Sequence, residues 1–180
     1  MLLTKLFAGH GYFATSMLLG LLLVADAYDL STRRIPNLVS GAVVVSGLGA
    51  QLIVHGGHGL ASAVAAGLGV LMLLWTPWVK GGLGGGDVKL AAAVAVWMGL
   101  ARLPAYLLGG ALAGGVVALV CWAASSSAAR RRIGRTLLWS LFVRAWPDAN
   151  GGQRDRLSVP YALAITAGAL VGLFDPKVVP

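Results

Sequence analysis

The sequence predicts an all-α integral membrane protein with about six transmembrane helices. Hydrophobic residues make up 58% of its 180 residues, and charged residues only 11%. A soluble globular domain carries about 25% charged residues, so most of this chain is expected to lie in lipid. Several apolar runs reach the roughly 18 residues that a membrane helix needs. We expect a single polytopic domain over residues 1–180, because no polar segment could fold separately as a domain of its own.

Six apolar segments are expected to form the membrane helices. They run from about Gly9 to Tyr28, from Pro36 to His55, from Leu60 to Val79, from Asp87 to Leu100, from Pro104 to Ala124 and from Ser158 to Phe174. The second segment begins at a favourable residue, because Pro36 suits the first turn of a helix, where an N–H has no partner. Glycine and alanine recur within the segments, and small side chains let membrane helices approach closely.

One long polar connection, at about 125–156, separates the last two segments. It is strongly basic, with arginines concentrated at 130–135. Its segment IGRTLLWSLFVRAW has two interpretations. It is either an interfacial helix with Trp139 and Trp146 as headgroup anchors, or a partly ordered loop.

The distribution of lysine and arginine predicts the orientation in the membrane. With the N-terminus outside, all of the 14 basic residues except Lys5, Arg102 and Lys177 fall on the cytoplasmic side. Cytoplasmic loops carry the excess of basic residues in membrane proteins. Both termini are therefore expected outside, and the net charge of +8 is interpreted as membrane topology rather than as nucleic-acid binding.

Two acidic sites lie at the edges of the predicted helices. The first is DAYDLSTRRIPN, residues 26–37, and the second is GGGDVK, residues 84–89. An ionisable residue at a membrane segment is a functional candidate because its burial is costly. Asp87 would suit a helix N-terminus, where a carboxylate accepts backbone hydrogen bonds, but Asp29 lies near a C-terminus, where a carboxylate is disfavoured. Helix capping therefore explains one aspartate and not the other.

Two carboxyl groups a few ångströms apart have a specific chemical use. They cannot both ionise easily, so they share a proton and titrate as one unit. The ionised partner acts as general base on a water molecule, while the protonated partner polarises the scissile carbonyl and then donates to the leaving amine. The predicted topology places Asp29 and Asp87 on the same side of the membrane, so this aspartic protease chemistry is open to them.

The two motifs together resemble those of the type IV prepilin peptidases, membrane aspartic proteases with a GxGD motif. GGGD, residues 84–87, matches GxGD, and Lys89 takes the usual following position. Asp29 with RRIPN, residues 33–37, is similar to the motif at the end of the family's first helix. SVPYALAITAG, residues 158–168, is similar to the family's final helix. The resemblance thus extends over nearly the whole chain.

By this resemblance Asp29 and Asp87 are the catalytic pair. Asp26 lies one helical turn before Asp29 on the same face, and it is either the alternative partner or a hydrogen-bonding neighbour. The family pattern favours Asp29, because the catalytic aspartate immediately precedes the basic-IPN stretch. Glycines without Cβ atoms would also let an extended substrate backbone lie close to the pair. The residues expected to bind substrate or support the pair are Gly84, Gly85, Gly86, Lys89, Asp26, Arg34, Pro36 and Asn37.

The resemblance implies an endopeptidase that cuts the short leader peptide of prepilins at the cytoplasmic face of the bacterial inner membrane. Many larger members add a cytoplasmic region with paired CxxC zinc motifs and an N-methyltransferase activity. This sequence has one cysteine, Cys121, and looks like the small, peptidase-only branch associated with Flp-type tight-adherence pili. We expect cleavage without methylation and without a cofactor, the partners being a prepilin helix and the lipid bilayer. No metal site is expected, because His10, His55 and His58 have no nearby cysteine or carboxylate partner.

The residues leave two alternative functions open. A small transporter or channel subunit would place aspartates along an ion path through the membrane, but the outer halves of the predicted helices lack acids. A related GxGD protease would act on preflagellins or on signal peptides. Signal-peptide-peptidase-like enzymes pair GxGD with a Tyr-Asp dipeptide, which Tyr28 and Asp29 supply here, although the IPN tail fits the prepilin group better.

Overall fold

The described part of the chain is entirely helical in its regular structure. The computed structural model describes residues 2–32, 34–79, 83–124 and 161–174. Its helices are α1 (Leu2–Thr32), α2 (Asn37–Val79), α3 (Gly85–Ala124) and α4 (Tyr161–Leu173). The predicted basic connection at 125–156 lies outside the described residues.

Three of these helices contain stretches long and apolar enough to cross a membrane. The stretches are Ala14–Thr32, Asn37–Val79 and Gly85–Val120, whereas α4 is a shorter apolar helix. This confirms the prediction of an all-α chain with the character of a membrane protein. The number of membrane crossings and the orientation stay predictions.

Helix α2 folds back on itself at Gly56, whose backbone is non-helical (φ 63°, ψ −149°). A Cβ atom on Gly47 would lie 2.6 Å from Trp97 Cδ1, and one on Gly67 would lie 2.7 Å from Val96 Cγ2. In a straight helix Gly47 and Gly67 would be roughly 30 Å apart, yet they touch adjacent residues of α3. The two arms of α2, residues 37–55 and 57–79, therefore lie side by side as a helical hairpin.

Helix α3 makes a second hairpin at Gly99 (φ 60°, ψ −179°). The Tyr106 hydroxyl donates a hydrogen bond of 3.1 Å to the Ala91 carbonyl, although a straight helix would separate these residues by roughly 22 Å. The arms of α3 are residues 85–98 and 100–124. Together, the arms of α2 and α3 lie at the positions predicted for the second to fifth segments.

Two side chains of α2 satisfy backbone groups at the Gly99 turn. The Leu100 N–H donates to Ser62 Oγ at 2.8 Å, and Gln51 Nε2 donates to the Trp97 carbonyl at 2.7 Å. Where a helix breaks, backbone groups lose their partners within it, and these two bonds replace some of them. These bonds also place the turns of both hairpins at one end of the helices and Asp87 at the other.

Helix α1 continues beyond its predicted end at Tyr28 and stops at Thr32. The apolar run that predicts this segment ends at Tyr28, whereas the helix continues through the polar residues Asp29, Ser31 and Thr32. In this last turn Ser31 Oγ donates to the Ala27 carbonyl at 2.7 Å and Thr32 Oγ1 donates to the Tyr28 carbonyl at 2.9 Å. This correction places Asp29 within the last turn of the helix. At the other end of the chain, the described part of α4 begins at Tyr161, and the predicted start at 158–160 lies outside the described residues.

Helix α4 packs against both α1 and α3. Its small residues lie against α3, where a Cβ on Gly168 would be 2.7 Å from both the Gly110 nitrogen and the Tyr106 carbonyl oxygen. Among the described residues, α1 packs against α2 and α4, while α3 packs against α2 and α4. The helix that carries Asp29 and the helix that carries Asp87 are thus joined through their shared neighbours.

Candidate active site

Asp29 continues the buried stripe of α1. Leu18, Leu22 and Ala25 are fully buried, and Asp26 and Asp29 follow them with exposures of only 6% and 7%. These positions recur with the spacing of one helix face. Asp29 Oδ2 is buried and accepts no hydrogen bond from the described residues. An orphaned buried acceptor costs about 1–3 kcal/mol, so a functional reason is expected for it.

Asp87 lies in the first turn of α3 and is partly buried. Its carboxylate accepts a hydrogen bond from the Gly84 backbone and lies close enough to Asp29 for the two charges to repel each other. The Gly84 carbonyl in turn accepts the Val88 N–H at 3.2 Å. The structure therefore brings together the two aspartates that the sequence motifs singled out, one from each of two helices.

The three glycines before Asp87 each allow a close approach. A Cβ on Gly84 would lie 2.6 Å from Asp87 Oδ2, where it would displace the carboxylate. A Cβ on Gly85 would lie 3.1 Å from Trp78 Nε1, and one on Gly86 would lie 3.3 Å from the Ile35 Cβ. The glycine run thus lets the start of α3 sit against the end of α2 and the connection that follows α1.

The segment between α1 and α2 forms one edge of the site. Thr32 Oγ1 also lies 3.1 Å from the Arg34 carbonyl oxygen, and the Pro36 carbonyl accepts the Val39 N–H at 3.0 Å at the start of α2. The Arg34 side chain is exposed. Ile35, which lies between Arg34 and Pro36 in this segment, is the residue that contacts Gly86. This connection holds the end of α1 beside the start of α3.

Lys89 lies away from the carboxyl pair. Its Nζ donates to Asn37 Oδ1 at 3.0 Å, and both residues line a groove of about 450 Å³. The groove is otherwise mostly apolar and runs between α3 and both arms of α2. Helical periodicity puts its α3 residues, among them Lys89 and Val96, on the face opposite Asp87. Lys89 and Asn37 therefore form a hydrogen-bonded polar pair in this groove, separate from the two carboxyl groups.

Asp26 has a partner that the sequence did not identify. Thr166 Oγ1 of α4 lies 3.1 Å from Asp26 Oδ1 and 3.0 Å from Asp26 Oδ2. Asp26 also interacts electrostatically with Asp29. The available signal was a polar residue in the middle of an otherwise apolar helix. The same signal applies to Gln51 and Ser62, which support the Gly99 turn.

The arrangement offers two carboxyl groups, and the described residues leave one buried Asp29 oxygen without a donor. Two carboxyl groups that share one proton can act in turn as general base and general acid. No group of three or more histidine, cysteine or acidic residues suited to a metal ion occurs among the described residues.

Comparison with known proteins confirms the family that the sequence resembles. The model of the type IV leader peptidase family matches residues 16–119, more than half of the chain. Over 118 residues the chain is 32% identical to a prepilin leader peptidase/N-methyltransferase of Pectobacterium carotovorum subsp. carotovorum, which covers 62% of this chain and 42% of that relative. The chain therefore spans less than half of the relative's length. No solved structure matches. The chain belongs to the type IV leader peptidase family.

Proposed function

We propose that this chain is an aspartic endopeptidase that removes the leader peptide of type IV prepilins of the Flp type. The observation that carries the proposal is the approach of the Asp29 and Asp87 carboxylates from different helices. Family membership supports a peptidase. The relative's name adds the substrate class, since it describes a prepilin leader peptidase.

In the proposed reaction the aspartate pair holds one proton. The ionised carboxyl removes a proton from water as the water oxygen attacks the scissile carbonyl, and the protonated carboxyl donates to the carbonyl oxygen. Collapse of the tetrahedral intermediate breaks the C–N bond, and the leaving amine takes up a proton from the pair. The Asp29 oxygen that the described residues leave without a donor is the acceptor we assign to the attacking water.

The proposed placement in the membrane has six crossings. The arms of α2 and α3, with α1 and α4, would each cross the inner membrane, with both termini outside. The excess of basic residues in the predicted cytoplasmic connections supports this orientation. The carboxyl pair would then act at the cytoplasmic face, where the leader of a membrane-inserted prepilin emerges beside its apolar helix.

We also propose that cleavage occurs without N-methylation. The sequence contains one cysteine, so it cannot form the paired CxxC motifs that the resemblance associates with methyltransferase members. A cleaved substrate would keep an unmodified N-terminal amine.

The test is co-expression of this chain with three separate substrates in cells that lack a prepilin peptidase. The substrates are a Flp-type prepilin, an archaeal preflagellin and a membrane-retained signal-peptide remnant. The intact mass of each product reports both the cleavage position and any added methyl group. We expect loss of the prepilin leader, no added methyl group, and no cleavage with the matched Asp87→Asn variant.

Two outcomes would contradict the proposal. Cleavage of the preflagellin or the signal-peptide remnant, with the prepilin left intact, would assign a different GxGD protease. If all three substrates stay full-length while the protein is present in the membrane, the peptidase proposal fails. A proton-flux measurement in vesicles would then test the transporter alternative.

A further inference from the structure

Thr166 makes an unusual contact for a residue in an apolar helix. Its Oγ1 lies within hydrogen-bond distance of both carboxylate oxygens of Asp26, at 3.1 and 3.0 Å. A threonine hydroxyl has one hydrogen to donate, and an ionised carboxylate only accepts. The bond therefore runs from Thr166 on α4 to Asp26 on α1, across the interface between these helices.

Asp26 is tied to the position of Asp29 through the helix they share. Both carboxyl groups are buried and extend the same stripe of α1, one helical turn apart. A helical turn is stiff, so a bond that fixes Asp26 also fixes the depth and rotation of Asp29.

The other side of α4 is seated on the helix that carries Asp87. A Cβ on Gly172 would lie 2.9 Å from Met98 Sδ and 3.2 Å from the Tyr106 Cβ, so α4 packs where the two arms of α3 meet. The Tyr106 hydroxyl bonds in turn to the Ala91 carbonyl in the arm that starts at Asp87. Helix α4 thus links the two halves of the carboxyl pair.

We propose that Thr166 is a positioning residue for the catalytic pair, acting through Asp26. It sets the separation of Asp29 and Asp87, because α1 and α3 meet mainly through their shared neighbours. This inference rests on the proposed peptidase function. It also gives Asp26 a role distinct from that of catalytic partner.

The test measures kcat and KM of the full-length purified protein on a prepilin in detergent or vesicles. Thr166→Val keeps the side-chain shape and removes the donor. We expect kcat to fall about 10- to 100-fold, because a displacement of the order of 1 Å costs that much, while KM stays within twofold. Thr166→Ser restores the donor and is expected to recover most of kcat.

A double-mutant cycle shows whether Thr166 acts through Asp26. Thr166→Val, Asp26→Leu and the double variant are compared, with Thr76→Val, an exposed site on α2, as the matched control. If the hydrogen bond carries the effect, the double variant is no slower than the slower single variant. The control is expected to retain wild-type kcat.

Several results would overturn the inference. They are wild-type kcat in Thr166→Val, failure of Thr166→Ser to recover activity, a change in KM alone, or additive effects in the cycle. If Thr166→Val does not accumulate, Thr166→Ala takes its place with the same expectations. A wild-type protein that cleaves no prepilin would instead refute the proposed function, so the two failures are distinguishable.

Discussion

The first arm of α3 and the last turns of α1 carry one aspartate each, and they are built differently. From Leu90 to Met98 every residue of the α3 arm is buried, so this arm is a central helix surrounded by protein. Helix α1 buries only one stripe, while Leu23 and Leu30 on its other faces are more than half exposed. The carboxyl pair therefore joins a fixed central helix to a peripheral one.

The two helices also differ in whether their buried polar groups have hydrogen-bond partners. At the Gly99 turn of α3, Gln51 and Ser62 supply partners for backbone groups. On α1, Asp29 keeps a buried oxygen that the described residues leave without a donor. Among the buried side-chain atoms that the structure describes, the unpartnered one thus belongs to the carboxyl pair and not to the Gly99 turn.

The largest effect should follow from removing either carboxyl charge. Asp29→Asn and Asp87→Asn should each lower kcat by about 10³-fold or more, because acid and base roles are both required. The Asp29→Asn/Asp87→Asn double variant should be no worse than either single variant, since residues that act as a unit are non-additive. Single-turnover cleavage by purified protein measures this. Multiplying losses would show that the two aspartates act independently.

A smaller effect should follow from crowding the Asp87 carboxylate. The methyl group of Gly84→Ala would lie 2.6 Å from Asp87 Oδ2, so the carboxylate must move. We expect kcat to fall about tenfold, in line with the cost of misplacing a reacting group. Gly115→Ala is the control, because a Cβ there meets nothing within 4 Å. Equal rates for the two variants would show that the Asp87 position is not critical.

The scaffold should respond in stability rather than in chemistry. Gly99→Ala places a Cβ at φ 60°, ψ −179°, a conformation that is nearly restricted to glycine and costs about 1–3 kcal/mol for other residues. Thermal unfolding in detergent should show a lower midpoint than for Gly69→Ala, where a Cβ meets nothing within 4 Å. An unchanged midpoint would mean that the hairpin turn does not need this backbone.

The smallest effect should come from one hydrogen bond at that turn. Ser62→Ala removes the acceptor of the Leu100 N–H and should cost about 1 kcal/mol of unfolding free energy. Ser31→Ala is the comparison, because the exposed Ser31 hydroxyl donates to the Ala27 carbonyl of its own helix. Denaturant unfolding of the two variants measures the difference. A larger loss in Ser31→Ala would contradict the assigned role of Ser62.

The sequence predicted the helical class and both aspartates of the site because these depend on local features. Apolar runs mark the helices, and Asp29 and Asp87 stand out within them. The breaks near Gly56 and Gly99 were also expected, although as short loops rather than single glycine turns. The apolar pattern places the end of α1 too early, because the helix continues through polar residues to Thr32.

The remaining features depend on tertiary packing. Thr166 and Asp26 are 140 residues apart in the chain, and nothing local to either residue specifies the other. The pairing of Lys89 with Asn37, across 52 residues, is similar. Such contacts depend on which helices pack against each other, and the residue pattern within a single segment does not specify this.

The most direct test of the account compares prepilin processing in cells that carry the wild type, Asp26→Asn, Asp29→Asn or Asp87→Asn, with equal membrane levels verified. Asparagine at residue 26 keeps an acceptor for Thr166, so this variant should still cleave. The Asp29→Asn and Asp87→Asn variants should accumulate full-length prepilin. Loss of cleavage in Asp26→Asn with activity retained in Asp29→Asn would contradict the assigned pair, and equal processing by all four would contradict the aspartic protease itself.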